Sequence, residues 1–273
     1  MAPAARLRDA GDDAEITMTA FTPASLPLIL IHGAGGDASV WAEQTAWLTR
    51  RGWTVLALEL PAHGATAPPP LPSIERMADW VWAQLDARGI AAAVLGGHSM
   101  GSLVALEAAA RRPTQVRGLA LLATAVPMRV SKKLLQQAQD DPAQAIDSVV
   151  RWSYAQPEPQ IAVPGWQSPQ SYRQLLLRQQ ANWPQGSVLA SDLAACDRYA
   201  GGDAAARAWG GPTLFVLGEF DRMTPLAQTA ALRDVLPHSR TVLLDCGHNL
   251  MAEAPHAVAH ALADWLERDL ALG

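Results

Sequence analysis

Cysteine is nearly missing from this chain of 273 residues. The two present, Cys196 and Cys246, stand in unrelated contexts without CxxC spacing, which argues against both a disulfide framework and a thiolate metal site. Both are expected to be ordinary packing thiols. Basic clusters are missing as well. The 21 Lys and Arg are spread among 26 Asp and Glu, for a net charge of -5, so nothing is arranged to track the phosphates of a nucleic acid. Apolar runs such as "GLALLATAV" are far too short to span a bilayer. The opening "MAPAARLRDAGDDAEITMTA" has no apolar run behind its arginines and soon turns acidic, the wrong order for a secretory signal. The expectation is a cytoplasmic protein with no membrane and no nucleic-acid partner. Phenylalanine and tyrosine are scarce, at three each, whereas tryptophan occurs ten times.

What is present suits a folded enzyme-sized domain. The chain is 49% hydrophobic and 17% charged, a globular composition, and its length can bury a full-sized core. Six short runs end in glycine or polar turns: "LPLILIHG", "WTVLALELP", "AAAVLGGHS", "RGLALLATA", "PTLFVLGEFD" and "RTVLLDCGH". They are apolar on both alternating faces, as strands of a parallel sheet covered by helices must be. Segments of helical spacing alternate with them at Ser39–Arg50, Ser73–Arg88, Ser99–Arg112, Pro225–Leu236 and Pro255–Leu270. This rhythm predicts an α/β fold with a doubly wound, mostly parallel sheet. From about 127 to 209 the rhythm stops. Only helical segments occur there, joined by proline-rich stretches such as "QPEPQIAVPGWQSPQ" and closed by "YAGGD", a plausible hinge. The expected organisation is a sheet domain from 1–126 and 210–273, with a helical cap inserted at 127–209.

The segment "GGHSMG" at Gly96–Gly101 carries the chemistry. Ser99 is the one serine with glycine both two places before and two places after it. It follows a strand and opens a helix, so a sharp turn would lift its hydroxyl above the sheet and aim the free N–H groups of the helix start at the same spot. A serine hydroxyl needs a base to take its proton. Of seven histidines, His32, His63 and His98 are accounted for as turn residues, and His238, His256 and His260 lie in or beside surface helices. His248, on the loop after the last strand, is the expected base. An acid must hold its tautomer, and Asp221, on the loop after "PTLFVLG", is the expected partner, with Glu219 the runner-up. The glycine-rich "HGAGG" after the first strand lets backbone approach a ligand. The N–H groups of Ala34 and Met100 are the expected oxyanion donors. The same loop lacks the G-K-[ST] ending of a nucleotide cradle.

The stretches "LILIHGAGGDASVW", "ELPAHGAT", "GGHSMGSLVALEAA", "VLGEFDRMTP" and "CGHNLMAEAP" together resemble the α/β-hydrolase superfamily, from about Leu26 to the C-terminus. The resemblance implies the chain order Ser99, Asp221, His248, a helical cap at the inserted region, and ester hydrolysis without metal or organic cofactor. Two positions depart from the family pattern. Glu59 and Ala62 replace the Asp and first Gly of D-x-P-G-H-G, so a slightly altered turn is expected. Asn249 stands where carbon–carbon bond hydrolases of this superfamily carry Trp. A serine nucleophile also argues against the dehalogenase and epoxide hydrolase branches. Trp152, Trp166, Trp183 and Met128 of the inserted region are expected to face an apolar substrate, whereas Arg129, Lys132 and Lys133 read as a solvated helix end, with contact to an anionic substrate the alternative. The expected function is hydrolysis of a small, largely apolar carboxylic ester by a monomer or homodimer. The same residues would serve diketone, lactone or thioester cleavage or perhydrolysis. A non-catalytic small-ligand receptor is the reading from a different class.

Overall fold

The computed structural model describes residues 26–272 apart from 157, 160 and 161. The opening segment, with its arginines and acidic run, therefore lies outside the described residues, as does part of the proline-rich joint. Six strands, β1 (Leu28–Ile31), β2 (Val55–Leu58), β3 (Ala93–His98), β4 (Val116–Leu122), β5 (Thr213–Gly218) and β6 (Ser239–Leu244), form one sheet in the order β2-β1-β3-β4-β5-β6. Every pairing is parallel. All six strands coincide with the six apolar runs of the sequence, β4 and β6 each starting one residue earlier.

Alternation along the central strands supplies two separate cores. Ile29, Ile31, Leu95, Leu119, Leu121, Phe215 and Leu217 face one side. Their neighbours Leu28, Leu30, Val94, Ala120, Leu122, Leu214 and Val216 face the other. Helices α2 (Ile74–Ala87) and α3 (Met100–Arg111) cover the first face, while α1 (Ala42–Thr49) and α11 (Pro255–Arg268) cover the second. Burial on both sides is what a parallel sheet requires. The two edge strands depart from this: β2 is mostly half-buried, and in β6 residues are half-buried or exposed, with Leu243 45% accessible. An edge strand has a neighbour on one side only, so its outer residues meet solvent.

Between β4 and β5 lie helices α4 (Lys132–Asp140), α5 (Pro142–Ser153), α6 (Pro169–Ala181), α7 (Val188–Arg198) and α8 (Gly202–Trp209), with no strand among the described residues. Local chemistry sets their starts. The side chains of Ser131, Asp141, Ser168 and Ser187 each accept a backbone N–H of the first turn, and proline occupies the first turn of α5 and α6, where its missing N–H costs nothing. Helix α8 packs against the sheet domain, with Ala205, Ala206 and Trp209 in the same apolar core as α3, and α7 adds Ala195 and Cys196 to that core. The segment after β5 is less helical than its spacing suggests. It forms a 3-10 turn at Leu226–Thr229 and a short α9 (Ala230–Asp234). A short α10 (Leu250–Glu253) ends just before Pro255, which starts α11.

Among the described glycines, the tightest backbone approach is at the start of α3. A Cβ on Gly97 would sit 2.0 Å from the carbonyl oxygen of Gly101, and one on Gly101 would sit 2.3 Å from that of Ile31. Neither neighbour is a side chain that can swing away. Gly97→Ala is therefore expected to cost about 3 kcal/mol or more, at or beyond the upper end of ordinary overpacking. Urea denaturation of the purified variant checks this, and a loss under about 1 kcal/mol would contradict a rigid crossing at this point.

Candidate active site

The loops that follow β1, β3, β5 and β6 all open on the carboxyl edge of the sheet, where parallel α/β sheets bind ligands. Ser99 sits between β3 and α3 with φ 52° and ψ -118°, a conformation that costs on the order of 1–3 kcal/mol for a residue with a side chain. The surroundings over-determine it. Its N–H donates to Leu122 of β4 at 2.9 Å, and its carbonyl accepts from the Ser102 amide at 2.8 Å and the Ser102 hydroxyl at 2.5 Å. Thr124 holds the Ser102 hydroxyl in turn at 2.7 Å.

Asp221 and His248 meet across the adjacent loops. His248 Nδ1 donates to Asp221 Oδ2 at 2.8 Å, with both side chains almost fully buried. Asp221 Oδ1 accepts the amides of Met223 and Thr224 at 2.8 Å each, and Oδ2 also accepts the Thr224 hydroxyl at 2.7 Å. Burial alone would raise this carboxyl. The charge and hydrogen bond of His248, followed by the amide and hydroxyl of Thr224, outweigh burial and hold it well below the ordinary carboxylate range. With Nδ1 committed as a donor, the neutral imidazole leaves Nε2 as an acceptor.

The backbone of His248 is pinned from several directions. His98 Nε2 donates to its carbonyl at 2.8 Å, and burial depresses the His98 imidazole to about 3, so His98 serves as a neutral donor. The Asn249 amide donates to Ser153 at 2.8 Å, and the Gly247 amide donates to Glu253 Oε1 at 2.9 Å. Glu253 Oε2 reaches across to the amide of Ala155 at 2.8 Å. Burial pushes the Glu253 carboxyl up to about 7. Backbone bonds from Glu219 to Leu244 and from Phe220 to Cys246, at 2.8 and 3.0 Å, tie the loop after β5 to that after β6. The Glu219 side chain itself is exposed and does not reach the imidazole.

Ser99, His248, Ala34 and Thr224 line one cavity of about 440 Å³. Met100, the first residue of α3, offers an N–H that no carbonyl of its own helix can accept. The Ser99 hydroxyl makes no hydrogen bond to His248 within 3.5 Å among the described residues, and such contacts commonly lengthen when no substrate is bound. The rest of the wall is mainly apolar, but Arg129 and Arg222 also line it, which corrects the expectation that Arg129 belongs only to a solvated helix end. Met128, Leu134, Val149, Leu189 and Leu193 contribute, along with Trp152, which is 38% accessible. Trp166 and Trp183 do not line it, which corrects the expectation that they face the substrate. Trp166 borders a separate surface depression beside Pro159 and Val163, and Trp183 stacks over Gly186 in another. Both are half-buried, and Trp166 meets the Tyr154 ring edge-on. Cys196 also lines the cavity, and burial raises its thiol, as it does that of Cys246. Thr224 and His98 were missed by sequence reasoning. Thr224 could have been found as a hydroxyl three residues after the acid, the spacing of a side chain that caps its own loop.

The departures in the loop after β2 are accommodated. Ala62 takes φ 71°, the left-handed region, at about 1–2 kcal/mol for a residue with a Cβ. Glu59 accepts the amide of Ala65 at 2.9 Å. Asn249 donates to the Tyr154 hydroxyl at 3.1 Å.

A serine at a strained strand-to-helix turn, beside a buried histidine–carboxylate pair on the carboxyl edge of a parallel sheet, defines the hydrolase class of α/β protein. The match to the alpha/beta hydrolase family extends over residues 28–261, and the chain belongs to that family. It is 30% identical over 254 residues, 88% of this chain and 93% of the other, to "Putative carbamate hydrolase RutD" of Pseudomonas savastanoi pv. phaseolicola. It is 41% identical over 101 residues to the dihydrolipoyllysine-residue acetyltransferase component of the acetoin cleaving system of Pseudomonas putida, a match covering 36% of this chain and 27% of that relative's length. The chain thus matches about a quarter of that relative. Among solved structures, the enol-lactonase from Burkholderia xenovorans LB400 superposes with a TM-score of 0.75 at 25% identity, covering 89% of this chain and 92% of the other. No helix among the described residues is long and apolar enough to cross a membrane.

The depressed Asp221 carboxyl carries a stability signature. Because its folded value lies below the unfolded one, its contribution is present above about pH 4 and is lost as the pH falls through the folded value. Asp221→Asn removes this titration. Between about pH 5 and 3 the parent should lose more unfolding free energy than the variant, as read by urea midpoints at each pH. Parallel curves would contradict a depressed Asp221 carboxyl.

Proposed function

We propose that the protein is a serine hydrolase that cleaves a carboxylic ester of a small, largely apolar substrate through an acyl-enzyme. The observation carrying this reading is the buried Asp221–His248 hydrogen bond at 2.8 Å opening onto the same cavity as Ser99. Ser99 Oγ attacks the carbonyl carbon while its proton passes to His248 Nε2. The developing oxyanion is met by the N–H groups of Ala34 and Met100, each worth about 3 kcal/mol in such sites. Collapse breaks the bond to the alcohol, which leaves with the proton from His248. Water then adds to the acyl carbon, giving its proton to His248, and the acid departs as Ser99 regains its hydrogen. Asp221 keeps the imidazole in the working tautomer and offsets its positive charge. The substrate's apolar part would lie against Met128, Leu134, Val149, Leu189 and Leu193.

Lactone opening is a second reading of the same residues, favoured by the likeness to an enol-lactonase. It differs only in that the leaving alcohol stays attached to the acyl group.

Steady-state hydrolysis of p-nitrophenyl esters of increasing acyl length, beside a set of small lactones, tests both. The expected result is turnover by the parent and a loss on the order of 10⁶-fold in Ser99→Ala. Met128→Trp should shift the preference to shorter acyl groups, because the wall loses depth. Saturable binding of a ligand without turnover of any ester or lactone would instead make the fold a receptor.

A further inference from the structure

The molecule holds a second buried histidine–carboxylate pair, and it sits behind the loop after β1. Asp192 of α7 has no solvent accessibility. Its Oδ2 accepts the amide of Gly35 at 2.7 Å and His63 Nε2 at 2.9 Å. The other ring nitrogen of His63 lies 3.0 Å from the carbonyl of Pro61. Both nitrogens therefore face acceptors, so both carry protons, and the ring is an imidazolium beside its carboxylate. Burial would oppose this charge, but the charge and hydrogen bond of Asp192, with the carbonyl of Pro61, outweigh it and raise the His63 imidazole.

The neighbouring ring is set the opposite way. His32 lies 4.6 Å from His63, centroid to centroid, and burial, then the charge of His63, lowers it to about 3. Its Nε2 accepts the amide of Leu60 at 3.2 Å, so its Nδ1 is the protonated nitrogen and donates to the carbonyl of Gly33 at 2.9 Å. The Gly36 amide donates to the same carbonyl at 3.1 Å, closing a turn in which Gly35 has φ 67°.

These contacts converge on Ala34. In a trans peptide the carbonyl and the N–H point in opposite directions, so fixing the carbonyl of Gly33 fixes the direction of the Ala34 N–H. The following peptide is fixed through the Gly35 amide on Asp192. Both peptide units flanking the Ala34 Cα are thus held, one by His32 and one by the inserted helix. Gln179 of α6 adds a parallel link, donating to Asp37 Oδ2 at 2.5 Å and accepting the Gly64 amide at 2.7 Å. Helix α7 meanwhile lends Leu189, Leu193 and Cys196 to the cavity wall. The element that shapes the substrate space also grips the loop beneath it.

Thermodynamics favours a working role for the pair. Burying two charges costs several kcal/mol per ion, and apolar residues of similar volume often serve stability as well or better. Here the second oxygen of Asp192 has no hydrogen-bond partner among the described residues, so the pair is not arranged for maximum stability.

We infer that Asp192, paired with His63, is a positioning residue that aims the Ala34 N–H at the developing oxyanion and so makes catalytic competence depend on the seating of α7. This rests on the serine-hydrolase reading above. Asp192→Ala should lower kcat on the best p-nitrophenyl ester about 10²-fold, as expected when an oxyanion donor is misplaced by a fraction of its hydrogen-bond length, with KM changed less than about threefold. Asp192→Asn keeps an oxygen for the Gly35 amide and should recover most of that loss.

The decisive readout is inhibition by an alkyl trifluoromethyl ketone. Ser99 Oγ adds to its carbonyl carbon, the Ser99 proton moves to His248, and the ketone oxygen becomes a bound oxyanion. Affinity for this ketone should fall in Asp192→Ala by the same factor as kcat, while affinity for the carboxylic acid product stays near that of the parent. Three results overturn the inference: unchanged ketone affinity in Asp192→Ala, a loss confined to KM, or failure of the near-isosteric Asp192→Asn to fold, which would make the pair a folding element. A parent that neither hydrolyses an ester nor binds the ketone overturns the serine-hydrolase reading itself, and the inference with it.

Discussion

The architecture of the site depends on one backbone contact, the seating of the first turn of α3 against the end of β1. Gly101 lets the helix come so near that a Cβ there would lie 2.3 and 2.5 Å from the carbonyl oxygens of Ile31 and His32. This approach places the free N–H groups of the helix start beside the loop that contains Ala34. It also forces the chain through the left-handed conformation at Ser99, whose cost is carried by bonds from β4 and from Ser102. Rigidity follows, because the neighbours are backbone in the middle of a parallel sheet and none of them can rotate away.

Around this crossing the fold concentrates its buried charge. Two histidine–carboxylate pairs, Asp221–His248 and Asp192–His63, lie on the same edge of the sheet, and a depressed histidine accompanies each, His98 and His32 respectively. In each case the second histidine is a neutral donor to a backbone carbonyl, so a rigid scaffold orders the loop after β6 in one case and the loop after β1 in the other. The pairs differ in reach. Asp221 and His248 both come from loops after strands of the sheet, whereas Asp192 comes from the inserted helices and ties them to the sheet.

Sequence reasoning found what local chemistry dictates. All six strands were legible because alternation and turn residues mark them. Ser99 was legible because glycines at fixed offsets on both sides of a serine, between a strand and a helix, mark a tight backbone crossing. Asp221 and His248 were legible as a carboxylate and a histidine on loops after apolar runs, with Glu219 left as the alternative acid. Besides Thr224 and His98, three features escaped. The short helix after β5 was overestimated, since helical spacing does not reveal where a 3-10 turn takes over. Trp166 and Trp183 were assigned to the substrate because composition shows that tryptophan is abundant without showing which surface it covers. His63 was set aside as a turn residue, and nothing in "PAHGAT" announces a partner 129 positions away.

By itself, then, the sequence determined the α/β layering, the strained serine turn and the loops that carry Asp221 and His248, because each rests on interactions within a few positions of chain. Only the tertiary structure decided which side chains share the cavity, which histidine is charged and which neutral, and how the inserted helices grip the loop after β1. Those depend on burial and on hydrogen bonds between residues more than a hundred positions apart, where desolvation decides which charges survive and no local pattern records the outcome.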